Sequence, residues 1–157
     1  MVKLQVNKLT YRPLSKTVFK GRLWGFSKFV AEKMAERVKA HIEKQEPRLK
    51  WKPLSKAYLR RKIRLGYDKR ILIASGQYID SIYVYRSDKA YVVGVRPRIH
   101  MGAKGLSEGG MKMSLLAKWL EFGTRKMPAR PHWRPAFFYV RKNIAKYFHE
   151  YMKARWT

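Results

Sequence analysis

Apolar and polar positions alternate from the first residues: Val2, Leu4 and Val6 are separated by Lys3 and Gln5, and Asn7 and Lys8 lead to Leu9. A period of two predicts a short strand, or an arm that becomes one by pairing with another chain. From Thr10 to Gly25 the pattern dissolves around Pro13, Gly21 and Gly25, which predicts an extended connection. The period then changes. Phe26, Phe29, Val30, Met34, Val38 and Ile42 fall on one face of a helix that Ser27 can cap and Pro47 stops. Glu32 and Glu36 lie early in it and Lys39 and Lys44 late, as the helix dipole favours.

A second, short helix runs from Ser55 as cap to Leu65, closed by Gly66. Tyr58, Leu59, Ile63 and Leu65 form its apolar side, while Lys56, Arg60, Arg61, Lys62 and Arg64 are dense enough for a positive face. Tyr83–Tyr85 and Ala90–Val95 read as the arms of a hairpin turning at Ser87, Asp88 and Lys89. Arg96 to Gly110, with five glycine or proline positions among Pro97, Gly102, Gly105, Gly109 and Gly110, reads as a long loop. Its Gly102-Ala103-Lys104-Gly105 spacing does not make a phosphate-binding loop, and a flexible ring-lining or neighbour-clasping role fits it. A helix over Met111–Phe122 points Met113, Leu116, Trp119 and Leu120 inward and ends at Gly123. A last helix over Ala136–Met152 carries Phe137, Val140, Ile144, Tyr147, Phe148 and Tyr151 along one side. The domain boundaries expected are an arm and linker over residues 1–25 and one domain over 26–157.

Charge changes the picture more than composition does. Thirty-seven Lys and Arg face ten Asp and Glu, a formal net charge of +27, in a chain of 157 residues that is 46% apolar. Self-repulsion at that charge makes a polyanionic complement, nucleic acid or an acidic neighbouring subunit, the natural partner, and the bland alternative is a solvated basic surface. The chain has no cysteine, so disulfides and thiolate sites are excluded. No apolar run reaches the roughly 18 residues of a membrane span, and the N-terminus has no signal-peptide core.

The residues that could carry catalysis are few. His41, His100, His132 and His149 show no metal-ligand spacing, and Glu32 and Glu36 read as dipole complements. A nuclease would need several carboxylates to hold Mg²⁺, and the chain is short of them. No enzyme activity, cofactor or metal is expected. Glu121 stands at a helix C-terminus, where a carboxylate is disfavoured unless paired, so a basic partner such as Arg125 or Arg130 is expected. The following loop is stiffened by Pro128, Pro131 and Pro135, and Gly123 is expected to supply a left-handed cap.

Two segments carry a family resemblance. Ile71-Leu72-Ile73 with Ser75-Gly76, Ser81-Ile82 and Val93-Gly94-Val95 is the first; Glu121-Phe122-Gly123-Thr124, Met127-Pro128-Ala129-Arg130-Pro131 and Pro135-Ala136-Phe137 form the second. Together, in a helix–hairpin–helix–loop–helix order, they resemble the phage virion-morphogenesis family of neck or tail-completion proteins. The resemblance implies an α+β domain, with a small antiparallel β-sheet flanked by the long helix of the N-terminal half and the C-terminal helix. It also implies a structural subunit of a homo-oligomeric ring, commonly hexameric, that joins the DNA-filled head to the tail. Its partners would be neighbouring neck and tail proteins and double-stranded DNA in the lumen. Its place would be the virion, assembled in host cytoplasm. Glu121, Phe122, Met127 and Arg130 are the expected subunit-interface residues, and Trp133 is expected to pack within its own chain. Lys56, Arg60, Arg61, Lys62, Arg64 and Lys104 are the expected polyanion contacts. The alternative is a basic nucleic-acid-binding protein outside any virion, using the Lys56–Arg64 helix with interleaved aromatic residues.

Overall fold

The computed structural model describes residues 16–88, 90–106 and 109–154. The strand or arm expected over Val2–Leu9 lies outside them. The chain is an α+β fold organised around one long helix, α1 (Lys16–Lys44), followed by a single 3-10 turn at Pro47–Leu49. Helix α1 corrects the expected extended connection, because it is already regular at Lys16 and runs through Gly21 and Gly25. Glycine costs a helix about 1 kcal/mol, and aromatic packing on the same turns offsets it. Trp24 meets Tyr91 edge-on at 5.9 Å, and Phe26 meets Phe148 at 5.3 Å. Ser27 therefore lies inside the helix rather than at its cap, and its Oγ accepts the Tyr91 N–H at 3.1 Å.

Helix α2 (Lys56–Arg64) begins as expected, with Ser55 accepting the Tyr58 N–H. A five-residue helix, α3 (Gln77–Ser81), leads directly into β1 (Ile82–Arg86), which pairs antiparallel with β2 (Tyr91–Val95) from Ile82↔Val95 to Arg86↔Tyr91. In this hairpin, Val84, Val93 and Val95 face the core while Tyr83 and Tyr85 stack at 5.3 Å on the other side. Gly94 leaves the room Tyr85 needs, since a Cβ there would stand 3.2 Å from the Tyr85 ring.

The stretch expected as a glycine-rich loop holds a second small sheet, β3 (Ile99–His100) against β4 (Met111–Lys112). Gly109 permits it: a Cβ there would lie 2.7 Å from the Met101 carbonyl. The loop between these strands folds back on the domain. Gln77 donates to the Gly102 carbonyl and accepts the Met101 N–H, Tyr67 donates to the Lys104 carbonyl, and Ala103 and Leu106 are buried. Helix α4 (Met113–Phe122) then begins two residues later than the apolar pattern suggested.

The C-terminal helix is two helices, α5 (Trp133–Lys142) and α6 (Ile144–Lys153), broken at Asn143. Asn143 has φ −100° and ψ 13°, and both its backbone N–H and its side-chain amide donate to the Tyr139 carbonyl. A side chain that competes for the helical carbonyls in this way favours a break. The core lies between α1, the hairpin, α4 and α5, built from Ala35, Val38, Ile42, Tyr78, Ile82, Met113, Leu120 and Ala136.

Candidate functional site

The loop between α4 and α5 is held from both ends by one carboxylate. Glu121, in the last turn of α4, is buried, and its Oε2 accepts the backbone N–H of His132 at 2.8 Å and of Trp133 at 3.0 Å. Its Oε1 accepts the N–H of Arg134 at 2.9 Å. These are donors that the first turn of α5 leaves without helical partners, and a carboxylate there also meets the positive end of the helix dipole. The expected pairing of Glu121 with Arg125 or Arg130 is thus corrected: its partner is the N-terminus of the next helix. Being buried inside its own chain, Glu121 is not a surface contact. Gly123 has φ 77° and ψ 178°, a region essentially reserved for glycine, and is not the left-handed cap expected. A Cβ there would lie 2.8 Å from the Ala129 nitrogen and 2.9 Å from the Met127 carbonyl oxygen, so the loop can close only on glycine.

His132 completes the joint. Its ring is fully buried, its Nδ1 donates to the Arg130 carbonyl at 2.8 Å, and its Nε2 accepts the Tyr78 hydroxyl at 2.6 Å. Tyr78 Oη in turn accepts the Trp133 indole N–H at 3.0 Å, which fixes Trp133 within its own chain as expected. This chain of donors suits a neutral imidazole. Burial, the largest effect, lowers the His132 pKa below its ordinary value and raises that of Tyr78. His41 of α1 donates through Nδ1 to the His132 carbonyl, and Trp51 donates to the Pro131 carbonyl. His41 is also buried, and burial again lowers its pKa. The geometry builds a rigid joint. Among the described residues no three His, Asp or Glu side chains are grouped to hold a metal.

Beside the joint lies a cavity of about 580 Å³. Leu54, Leu72, Ile73, Leu116, Leu120 and Met127 supply apolar wall, and Lys62 and Arg130 supply buried charge. Leu72 holds a left-handed φ of 63°, a strained conformation for leucine. Lys62 points inward from α2, is 2% exposed, and donates through Nζ to the Arg70 carbonyl. It therefore leaves the expected positive face: the inward side of α2 is Leu59 and Lys62, whereas Tyr58, Ile63 and Leu65 of the expected apolar side are exposed. Arg130 is 7% exposed and faces the cavity, so it is no free surface contact either. Its Nη2 reaches the Lys52 carbonyl at a long 3.4 Å, and its Nε has no partner.

Other expected residues remain on the surface. Lys56, Arg60, Arg61, Arg64 and Lys104 are exposed, and Met127 is half-buried at the cavity. Phe122 is 62% exposed, and on the far side of the loop Phe137 and Phe138 are 53% and 55% exposed. The pattern groups Phe137 with Val140, Ile144 and Phe148 on one side, but Phe137, Ile144 and Phe148 are all exposed. The stripe that α5 buries is Ala136 and Val140.

No protein-family model matches the chain, and no solved structure matches it. It is 29% identical over 136 residues to an uncharacterized protein of Methanocaldococcus jannaschii, covering 82% of this chain and 91% of the relative.

Proposed function

We propose that this chain is a structural, non-catalytic subunit of a tailed-phage neck, forming a homo-oligomeric ring that joins the DNA-filled head to the tail. The observation that carries the reading is the exposure of Phe122, Phe137 and Phe138 on the two helices that flank the locked loop. Large exposed aromatics on a highly charged chain fit a subunit surface better than a solvated one. The resemblance of residues 71–95 and 120–137 to the virion-morphogenesis family supports the same reading. So does the charge of +27, which suits a lumen that passes DNA or faces that meet acidic rings. In this reading the interface role belongs to Phe122 and the α5 phenylalanines, not to Glu121 and Arg130.

The test is the mass of the particle in solution, read by light scattering and by negative-stain microscopy. The wild-type chain is expected to form closed rings, and the double variant Phe137→Ser/Phe138→Ser to give monomers with an unchanged circular dichroism spectrum. A wild-type chain that stays monomeric at several milligrams per millilitre while binding short DNA tightly would replace the neck reading with that of a free-standing nucleic-acid binder. The exposed Lys56, Arg60, Arg61 and Arg64 are what would serve that role.

A further inference from the structure

We propose that the cavity between α2, the Leu72–Tyr78 segment and the Lys126–Arg130 loop binds an apolar molecule that ends in a carboxylate, of the fatty-acid type. Its volume of about 580 Å³ lies within the roughly 300–1,000 Å³ of sites that enclose small molecules. The body of the ligand is set by the aliphatic wall of Leu54, Leu72, Ile73, Leu116, Leu120 and Met127.

The head is set by charge. Lys52, Lys62, Lys126 and Arg130 line the cavity, and no Asp or Glu does. Two of these cations are more than nine-tenths buried, and no ion pair among the described residues reaches either of them. Asp68 acts on Lys62 only at a distance, its carboxylate being held by Arg70 at 2.5 Å. Burying a cation without a counter-charge is costly, and an incoming anion recovers that cost. Arg130 offers an unpartnered Nε, and Lys62 has used one of its three donors. A carboxylate can accept from a guanidinium and an ammonium group together. The chain's own first 15 residues contain no acid and carry the wrong sign for the site.

The site is tested with decanoate as probe, below its micelle concentration and in enough salt to suppress binding to outer cations, by calorimetry on the full chain. Decan-1-ol and decyltrimethylammonium serve as matched controls. Decanoate is expected to saturate at one molecule per chain and to bind at least about tenfold more tightly than decan-1-ol, the worth of a charge-assisted hydrogen bond. Arg130→Met should remove that preference. Ser75→Trp, which sets a bulky indole at the exposed rim of the cavity and leaves both cations in place, should weaken decanoate and decan-1-ol binding alike. Should Arg130→Met fail to fold, Ser75→Trp and the alcohol comparison decide alone. Equal affinity for decanoate and decan-1-ol, uptake that never saturates, no binding, or binding untouched by Ser75→Trp would each overturn the assignment.

Discussion

His132 has a use for both ring nitrogens, and the acceptor role of Nε2 depends on the ring being neutral. Protonation would turn Nε2 into a donor facing the Tyr78 hydroxyl, which already accepts from Trp133. His41, buried beside it, is held neutral by the same desolvation. Both folded-state pKa values lie below the ordinary 6.5, so the unfolded chain binds more protons than the folded one as pH falls below that value. Stability is then complete above about pH 6.5 and declines as pH drops toward the folded values. Urea midpoints should be flat from pH 8 to 7 and fall steadily between pH 6.5 and 5; a flat profile across that lower window would contradict the buried neutral pair. Glu121 sits one layer further out. Glu121→Gln keeps the shape but sets an amide N–H₂ against backbone donors, and should cost about 2–3 kcal/mol in urea unfolding. An unchanged midpoint would show that the three hydrogen bonds contribute nothing. The sequence made Glu121 conspicuous but assigned it the wrong partner. An acid at a helix C-terminus needs a positive charge, and the one it finds belongs to a helix start at Trp133, three residues before the Ala136 that the apolar pattern predicts.

Helix α1 shows how an element can be stronger than its own residues. Gly21 and Gly25 break the apolar pattern, so the sequence alone reads as a linker there, but Trp24, Phe26 and Phe29 hold the helix from outside through Tyr91, Phe148, Tyr147 and Tyr151. These contacts join residues more than 60 positions apart and leave no local signal. Gly21 is exposed, with open space where a Cβ would stand. Gly21→Ala should therefore raise stability by about 0.5–1 kcal/mol, seen as a higher thermal midpoint and greater helicity. An alanine without effect would mean that this turn is not helical in solution. The hairpin was legible because alternation and the Ser87–Asp88 turn are local facts. The β3–β4 pair was not, since two-residue strands have no period to display. The break at Asn143 was equally hidden, because the apolar stripe continues across it.

At the scale of the molecule, charge and fold class were the most legible properties, and the division of labour among the cations was the least. Composition counts Lys62 and Arg130 with the other basic residues, whereas packing withdraws both from the surface. The exposed Arg60 and Arg61 remain available for phosphate. If this face meets DNA, Arg60→Ala/Arg61→Ala should weaken binding without regard to sequence and reduce the slope of log K against log salt by about 2. An unaltered slope would move the polyanion contact elsewhere. The bond between Glu121 and the start of α5 has a consequence of a mechanical kind. Pulling on the α5–α6 arm would load α4 directly through three parallel hydrogen bonds, bypassing the ten residues between Glu121 and His132. The loop would carry little tension while the two helices keep their relative pose.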